Sequence, residues 1–171
     1  MPDPQKHADS RGWIESIAQW IPGFHGYLER EYRRDSDQLA RQWMADRLSR
    51  SKKSLAAYVN HLVESGRLEE LTPCRSFATR LDTMIGKFQS APVGYSGFFD
   101  FVKIGESELE KIYHVDVSLF SLVDGLVKSI DAIVGQDESP TVLLKPINLQ
   151  LSEIEQVFYN RKDILLGLSD R

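Results

Sequence analysis

The sequence predicts an all-α protein: a bundle of four main helices, one of them long, with a short amphipathic helix before them. Two observations favour this fold class. Apolar residues recur every three or four positions through most of the 171 residues, which is the period of a helix. The segment 27–65 contains neither Gly nor Pro. The only run compatible with a strand is TVLL at 141–144.

The composition indicates one soluble globular domain. Hydrophobic residues make up 42% and charged residues 27% of the chain, both ordinary values. We expect a disordered tail at 1–10 and a single domain over 11–171. One cysteine and an N-terminus without an apolar signal run favour the cytoplasm. A net charge of −4 gives no reason to expect a nucleic-acid partner.

The short N-terminal helix is predicted just after the tail. Its apolar residues form one stripe, and Pro22-Gly23 ends it. The stripe consists of Trp13, Ile14, Ile17, Trp20 and Ile21.

The long helix is predicted over 27–65, where strong helix formers dominate. Gly66 follows it and is expected to close it. Asp37 and Arg41 stand four residues apart, acid before base. This spacing is typical of an ion pair on a solvated helix face.

A third helix is expected to begin at Thr72-Pro73, with Thr72 as the cap and Pro73 in the first turn. Its apolar residues recur with helical spacing as far as Ser90. They are Phe77, Leu81, Met84, Ile85 and Phe88.

Capping-box patterns predict the starts of the last two helices. Ser107 and Glu110 open the fourth, and Ser152 and Glu155 open the last. The fourth helix carries a heptad pattern that ends before Gly135. Its apolar members are Leu109, Ile112, Leu119, Val123, Leu126, Ile130 and Ile133.

Asp116 interrupts that heptad pattern at a position where an apolar residue is expected. Arg161 lies on the apolar stripe of the last helix, seven residues after Ile154 and seven before Leu168. A buried carboxylate needs a partner, so we predict that Asp116 and Arg161 form a buried pair. The pair either fixes helix register or belongs to a polar ligand pocket.

Two loops share the form Gly-aromatic-x-Gly-aromatic: GFHGY at 23–27 and GYSGF at 94–98. Neither has the flanking strand or the following Lys of a phosphate-binding loop. Either the glycines form tight turns that the aromatics anchor, or the two loops meet as a contact surface for a partner or ligand. The aromatic residues of that surface are Phe24, Tyr27, Tyr95, Phe98 and Phe99.

Metal binding and catalysis find little support. The Glu-x-x-His spacing of di-metal bundles is absent, and the four histidines are scattered. Cys74 stands near a helix start, where the helix dipole can lower the pKa of a thiol, but no Cys/His arrangement accompanies it. We therefore predict no catalytic residue, metal or cofactor.

The segments IPGFHGYLEREYRRDSDQL (21–39) and GYSGFFDFVKIGESELEKIYHVD (94–116) resemble a bacterial family of all-helical proteins whose activity is uncharacterised. In that family a Pro-Gly-aromatic turn opens a charged helix. The resemblance covers about residues 13–135. It implies a bacterial cytoplasmic setting and no particular chemistry.

The leading functional hypothesis is a non-enzymatic adaptor that binds a protein partner or a second copy of itself. Its contact surface is the set of aromatic loops or the helix that carries Trp13 and Trp20. One alternative is a ligand binder or enzyme with a polar pocket around Asp116 and Arg161. Another is a peripheral membrane protein that uses the two tryptophans. The membrane alternative is less favoured, because the polar face of that helix lacks Lys and Arg.

Overall fold

The computed structural model describes residues 12, 14–27, 30–90 and 106–165, and all regular structure in this part of the chain is helical. The all-α prediction is therefore confirmed. The helices are α1 over residues 14–20, α2 over Arg30–Glu64, α3 over Leu71–Gln89, α4 over Glu106–Asp131 and α5 over Pro140–Leu165.

The long helix α2 has 35 residues and is about 52 Å long at 1.5 Å per residue. It ends in a Schellman motif at Gly66, whose φ is +73°. The N–H of Arg67 donates to the carbonyl of Leu62 at 2.9 Å, and that of Gly66 donates to Val63 at 3.0 Å. The predicted helix and its closing glycine are both confirmed.

The predicted N-cap of α3, Thr72, is wrong. The helix begins at Leu71 with Glu70 in the cap position, and Thr72 lies inside the first turn. A 3-10 turn over Leu68–Glu70 leads directly into α3. Arg67 holds Glu70 through two side-chain hydrogen bonds of 2.7 Å each, so the entry to the helix does not depend on a threonine cap.

The last helix starts twelve residues earlier than Ser152, where the capping-box pattern placed its beginning. The segment 141–144 is helical, so the strand-compatible run there is not a strand. The carbonyl of Ser139 accepts the N–H groups of Val142 and Leu143 at 2.9 and 3.0 Å. Pro140 occupies the first helical position, where its missing N–H costs nothing. Ser152 instead donates to the Asn148 carbonyl within the helix, at 3.0 Å.

The four long helices occupy the corners of a square. Helix α2 packs against α3 and α4, and α5 packs against the same two. Arg47 pairs with Asp124, and Ser54 bonds to Asp131. Residue numbers rise together along both helices in these contacts, so α2 and α4 are parallel. The links Arg80–Asn148 and Lys87–Glu155 show the same for α3 and α5. Helices α3 and α4 therefore lie on one diagonal, and α2 and α5 on the other.

The core lies between these helices. Every apolar residue predicted to line α3 is buried, and so is every apolar member of the α4 heptad pattern. The turns α2–α3 and α4–α5 meet at one end of the bundle, where the Tyr58 hydroxyl donates to the Glu138 carbonyl at 2.9 Å. We call this the hairpin end and the opposite end the network end.

The GFHGY turn joins α1 to α2 at the network end. Gly23 and Gly26 have φ of +86° and +85°, a region that favours glycine. Gly26 also has no room for a side chain. A Cβ there would lie 2.6 Å from the Tyr113 hydroxyl and 2.9 Å from Ile14 Cδ1. The Ser36 hydroxyl fixes the turn by donating to the Gly26 carbonyl at 3.0 Å.

Replacing Gly26 should therefore destabilise the protein. We expect Gly26→Ala to lower the free energy of unfolding by about 2–5 kcal/mol, from backbone strain and steric overlap together. Gly125→Ala is the matched control, because Gly125 is helical and a Cβ there meets nothing within 4 Å. The control should stabilise by about 0.5–1 kcal/mol. Urea unfolding measures both, and equal effects would contradict this account of the turn.

Candidate functional site: a buried ion network and an aromatic surface

Arg161 is a fully buried arginine at the network end, with no exposed surface. Its Nε donates to Asp116 Oδ1 at 2.5 Å. Its Nη2 lies 2.9 Å from Oδ1 of Asp37 and 3.2 Å from Oδ2 of Asp116. The guanidinium on α5 thus bridges carboxylates on α2 and α4.

The charges alternate in sign along this cluster. Asp37 also accepts from Nε of Arg41 at 2.9 Å, so the order is Asp116, Arg161, Asp37, Arg41. We call these four residues the ion network; their formal charges sum to zero. Arg41 further donates to the Phe88 carbonyl on α3 at 3.0 Å. Each buried charge has an opposite charge beside it, the condition under which burial of ions is tolerated.

Tyr27 ties the GFHGY turn to the ion network. Its hydroxyl donates to Asp116 Oδ2 at 2.6 Å and accepts from Arg161 Nη2 at 3.1 Å. Its N–H donates to the Tyr113 hydroxyl at 2.5 Å, and its carbonyl accepts from Arg33 Nε at 2.6 Å. Burial, followed by the negative charge of Asp116, raises the pKa of Tyr27 well above its usual value. The phenol therefore stays protonated and remains a donor.

The structure brings Asp116 and Arg161 together at the network end, where the sequence predicted a pair. Both oxygens of Asp116 are engaged, by Arg161 and by Tyr27. The sequence interpretation of Asp37 and Arg41 as a solvated pair is wrong, because they are only 2% and 8% exposed. A signal was present: they stand seven residues before Met44 and Leu48, which are both fully buried.

The predicted aromatic contact residues separate into three groups. Phe24 and Tyr27 are 4% and 0% exposed, so they belong to the core and not to a surface of this chain. Trp20 is 38% exposed. The other predicted contact residues, and with them the second Gly-aromatic loop, lie outside the described residues; these are Trp13, Tyr95, Phe98 and Phe99.

Trp20, a contact residue predicted from the sequence, lies beside residues of α2 that the sequence did not single out. Its ring packs edge-on against Trp43 of α2, with centroids 5.5 Å apart. Nearer the start of α2, a Cβ on Gly23 would lie 3.9 Å from Leu39 Cδ1, and Tyr32 packs against His25 with ring centroids 5.0 Å apart. We call Trp20, His25, Tyr32, Leu39 and Trp43 the Trp surface. Tyr32 and Leu39 are each 36% exposed.

Trp43 also packs against α4. It packs edge-on against Phe120 of α4, with centroids 5.2 Å apart, and the Arg47 guanidinium lies 5.6 Å from its ring centroid. Arg47 is fixed by its ion pair with Asp124. Asp124 also pairs with Lys128 at 2.7 Å. Hydrogen bonds from Lys128 and Arg47 lower the pKa of Asp124, despite the opposing effect of its burial.

Neither a metal site nor a reactive thiol is evident among the described residues. No group of three or more His, Cys, Asp and Glu in this part of the protein could hold a metal ion. Cys74 is buried, and burial raises the pKa of its thiol, contrary to the lowering expected from its place near a helix start. Within residues 12, 14–27, 30–90 and 106–165, no helix has the length and apolar character needed to cross a membrane.

Comparison with protein-family models gives no match, and no curated protein or solved structure matches the chain either. The bacterial family resemblance of the two segments therefore remains an expectation.

The Tyr27 hydroxyl should give the protein a distinct pH dependence. The folded-state pKa of this hydroxyl lies above that of the unfolded chain. The stability that the hydroxyl contributes is therefore fully present below about pH 10 and is lost as pH rises further. In Tyr27→Phe we expect about 1–2 kcal/mol less stability at pH 7. Between pH 9.5 and 11 the free energy of unfolding of Tyr27→Phe should fall less steeply than that of wild type, by up to about 1.4 kcal/mol per pH unit.

The measurement is urea unfolding of wild type and variant across this pH range. Tyr32→Phe, which removes the hydroxyl of a surface tyrosine, is the control and should match wild type at pH 7. If Tyr27→Phe and wild type lost stability with the same slope above pH 10, the buried-donor account of Tyr27 would be wrong.

Proposed function

We propose that this protein is a helical interaction module that binds a partner protein through the Trp surface. The observation that carries the proposal is the pair of Trp20 and Trp43, whose rings pack edge-on where α1 contacts α2. Trp20 remains 38% exposed although it is docked on the bundle. Tryptophan and tyrosine are the residues most enriched at the energetic centres of protein interfaces.

The Trp surface has the rigidity that favours binding. Trp43 packs against Phe120 and Arg47, and Trp20 packs against Trp43. A side chain that is already ordered loses less conformational entropy when a partner covers it, and that entropy is one of the main costs of association. A partner would therefore meet a largely preformed contact site.

The dimensions of the surface suit a single helix or extended segment of a partner. From Tyr32 to Trp43 it follows eleven residue steps of α2, which is about 17 Å at 1.5 Å per step. A contact of this length lies at the small end of specific interfaces, where association is reversible. A cytoplasmic setting is part of the proposal, because the chain has a single cysteine, which is buried.

The ion network supports this surface indirectly. Tyr27 connects the network to the turn that follows α1, so the network holds α1 against α2. Both oxygens of Asp116 are engaged inside the protein, which favours a role in folding over a role in ligand chemistry. We therefore assign partner binding to the Trp surface and support of that surface to the ion network.

A photo-crosslinking experiment in the native cell tests the proposal. A photoreactive amino acid replaces Leu39 in one variant and Val63 in the other. Val63 is the matched control, because it is an exposed apolar residue of the same helix, 46% exposed, near the hairpin end. We expect one protein to be crosslinked from position 39 and not from position 63.

The crosslinked protein is then purified and its affinity measured by calorimetry. We expect Leu39→Glu to weaken binding at least about tenfold, which corresponds to about 1.4 kcal/mol, while Val63→Glu leaves it unchanged. Equal crosslinking from the two positions, or equal affinity of the two glutamate variants, would refute the Trp surface as the binding site.

A further inference from the structure

The outer face of α5 carries an exposed apolar stripe that the Trp surface does not explain. Val142 is 54% exposed and Leu149 is 66% exposed, on a helix whose opposite face lies in the core. Pro146, also exposed, stands between them. The three residues follow the i, i+4, i+7 spacing of one helix face.

Opposite charges flank Leu149 symmetrically. Lys145 stands four residues before it and Glu153 four residues after it, and both are exposed. Neither belongs to an ion pair within the described residues. They are eight residues apart on one helix, about 12 Å at 1.5 Å per residue. Each charge therefore needs a partner from outside its own helix to be paired.

We propose that this face binds a second copy of the chain, with the two α5 helices antiparallel about a two-fold axis at Leu149. A two-fold axis brings the same patch of both copies together. Leu149 then packs against Leu149 of the second copy. Lys145 of each copy lies in the same layer as Glu153 of the other, so two ion pairs form on either side of the leucines. No like charges of this stripe meet in that arrangement.

The dimer leaves the Trp surface free. Helices α2 and α5 occupy opposite corners of the bundle, so two copies joined through α5 present their Trp surfaces on opposite sides. The assembly is then bivalent, and a partner with two binding segments gains avidity without any new contact. The dimer itself does not depend on the proposed function, because it rests on α5 alone.

The expected dimer is weak. From Val142 to Glu153 the contact follows eleven residue steps of α5, about 17 Å. Such a contact buries less than the roughly 800 Å² per copy of a standard stable interface. A reversible equilibrium is therefore expected, with dissociation constants of micromolar order or higher.

Symmetric cysteine crosslinking tests the two-fold axis. Leu149→Cys places a thiol on the axis, where it meets its own copy, so it should form a disulfide dimer under mild oxidation. Val142→Cys is the matched control: Val142 is also exposed, 54% against 66% for Leu149, but it lies seven residues from the axis. Its two copies are therefore about 21 Å apart. Wild type controls for Cys74. We expect at least about tenfold faster crosslinking at position 149; similar rates at both positions, or none at 149, would overturn the proposal.

Charge reversal tests the register independently, by sedimentation velocity over a concentration series. Lys145→Glu and Glu153→Lys should each weaken the dimer at least about fivefold, because each brings like charges together across the axis. The double variant Lys145→Glu/Glu153→Lys restores opposite charges and should return to within about twofold of wild type. If the double variant is as weak as the single ones, the register is wrong. A monomer that still crosslinks its partner from position 39 would refute the dimer and leave the proposed function standing.

Discussion

A single buried guanidinium sets the arrangement of the network end. Arg161 lies where no water reaches it, and an isolated charge at such a place is strongly unfavourable. It is tolerated because Asp116 and Asp37 both contact it, and because Arg41 balances the second carboxylate. These residues come from α5, α4 and α2, and Arg41 extends the contacts to the last turn of α3. Apolar packing alone would permit small slips of one helix along another, whereas we expect the paired charges of this network to favour one register.

The surface depends on the same interaction. Asp116 binds the Tyr27 hydroxyl, and Tyr27 terminates a turn that can form only because Gly26 has no side chain. That turn connects α1 to α2, and Trp20 at the end of α1 packs on Trp43 of α2. The Trp surface thus consists of residues from α1, the turn and α2, and Tyr27 at the end of that turn is bonded to Asp116 and Arg161. The ion network and the proposed binding surface are therefore connected through Tyr27.

Periodicity in the sequence was sufficient for much of this structure. It predicted the long helix, the buried faces of α3 and α4, and the presence of Asp116 and Arg161 on inward-facing stripes. It did not predict that Asp37 and Arg41 join them, since the spacing of four that suggests a surface pair also occurs inside a bundle. The start of α5 was misplaced because Ser152 and Glu155 imitate a capping box, whereas Ser139 and Pro140 begin the helix. Trp20 was predicted as a contact residue, but its packing on Trp43 and the other members of the Trp surface could not be, because they depend on the path of the turn in three dimensions.

The most direct test of the central role of Arg161 is a double-mutant cycle of unfolding free energies with Asp116→Leu, Arg161→Met and the combined variant. Each single replacement leaves a buried charge without its partner and should cost about 3–5 kcal/mol. The combined variant removes both charges and should be destabilised by at least about 2 kcal/mol less than the sum of the two single effects. Additive effects would show that the two side chains act independently, which would contradict a network that fixes the register of the bundle.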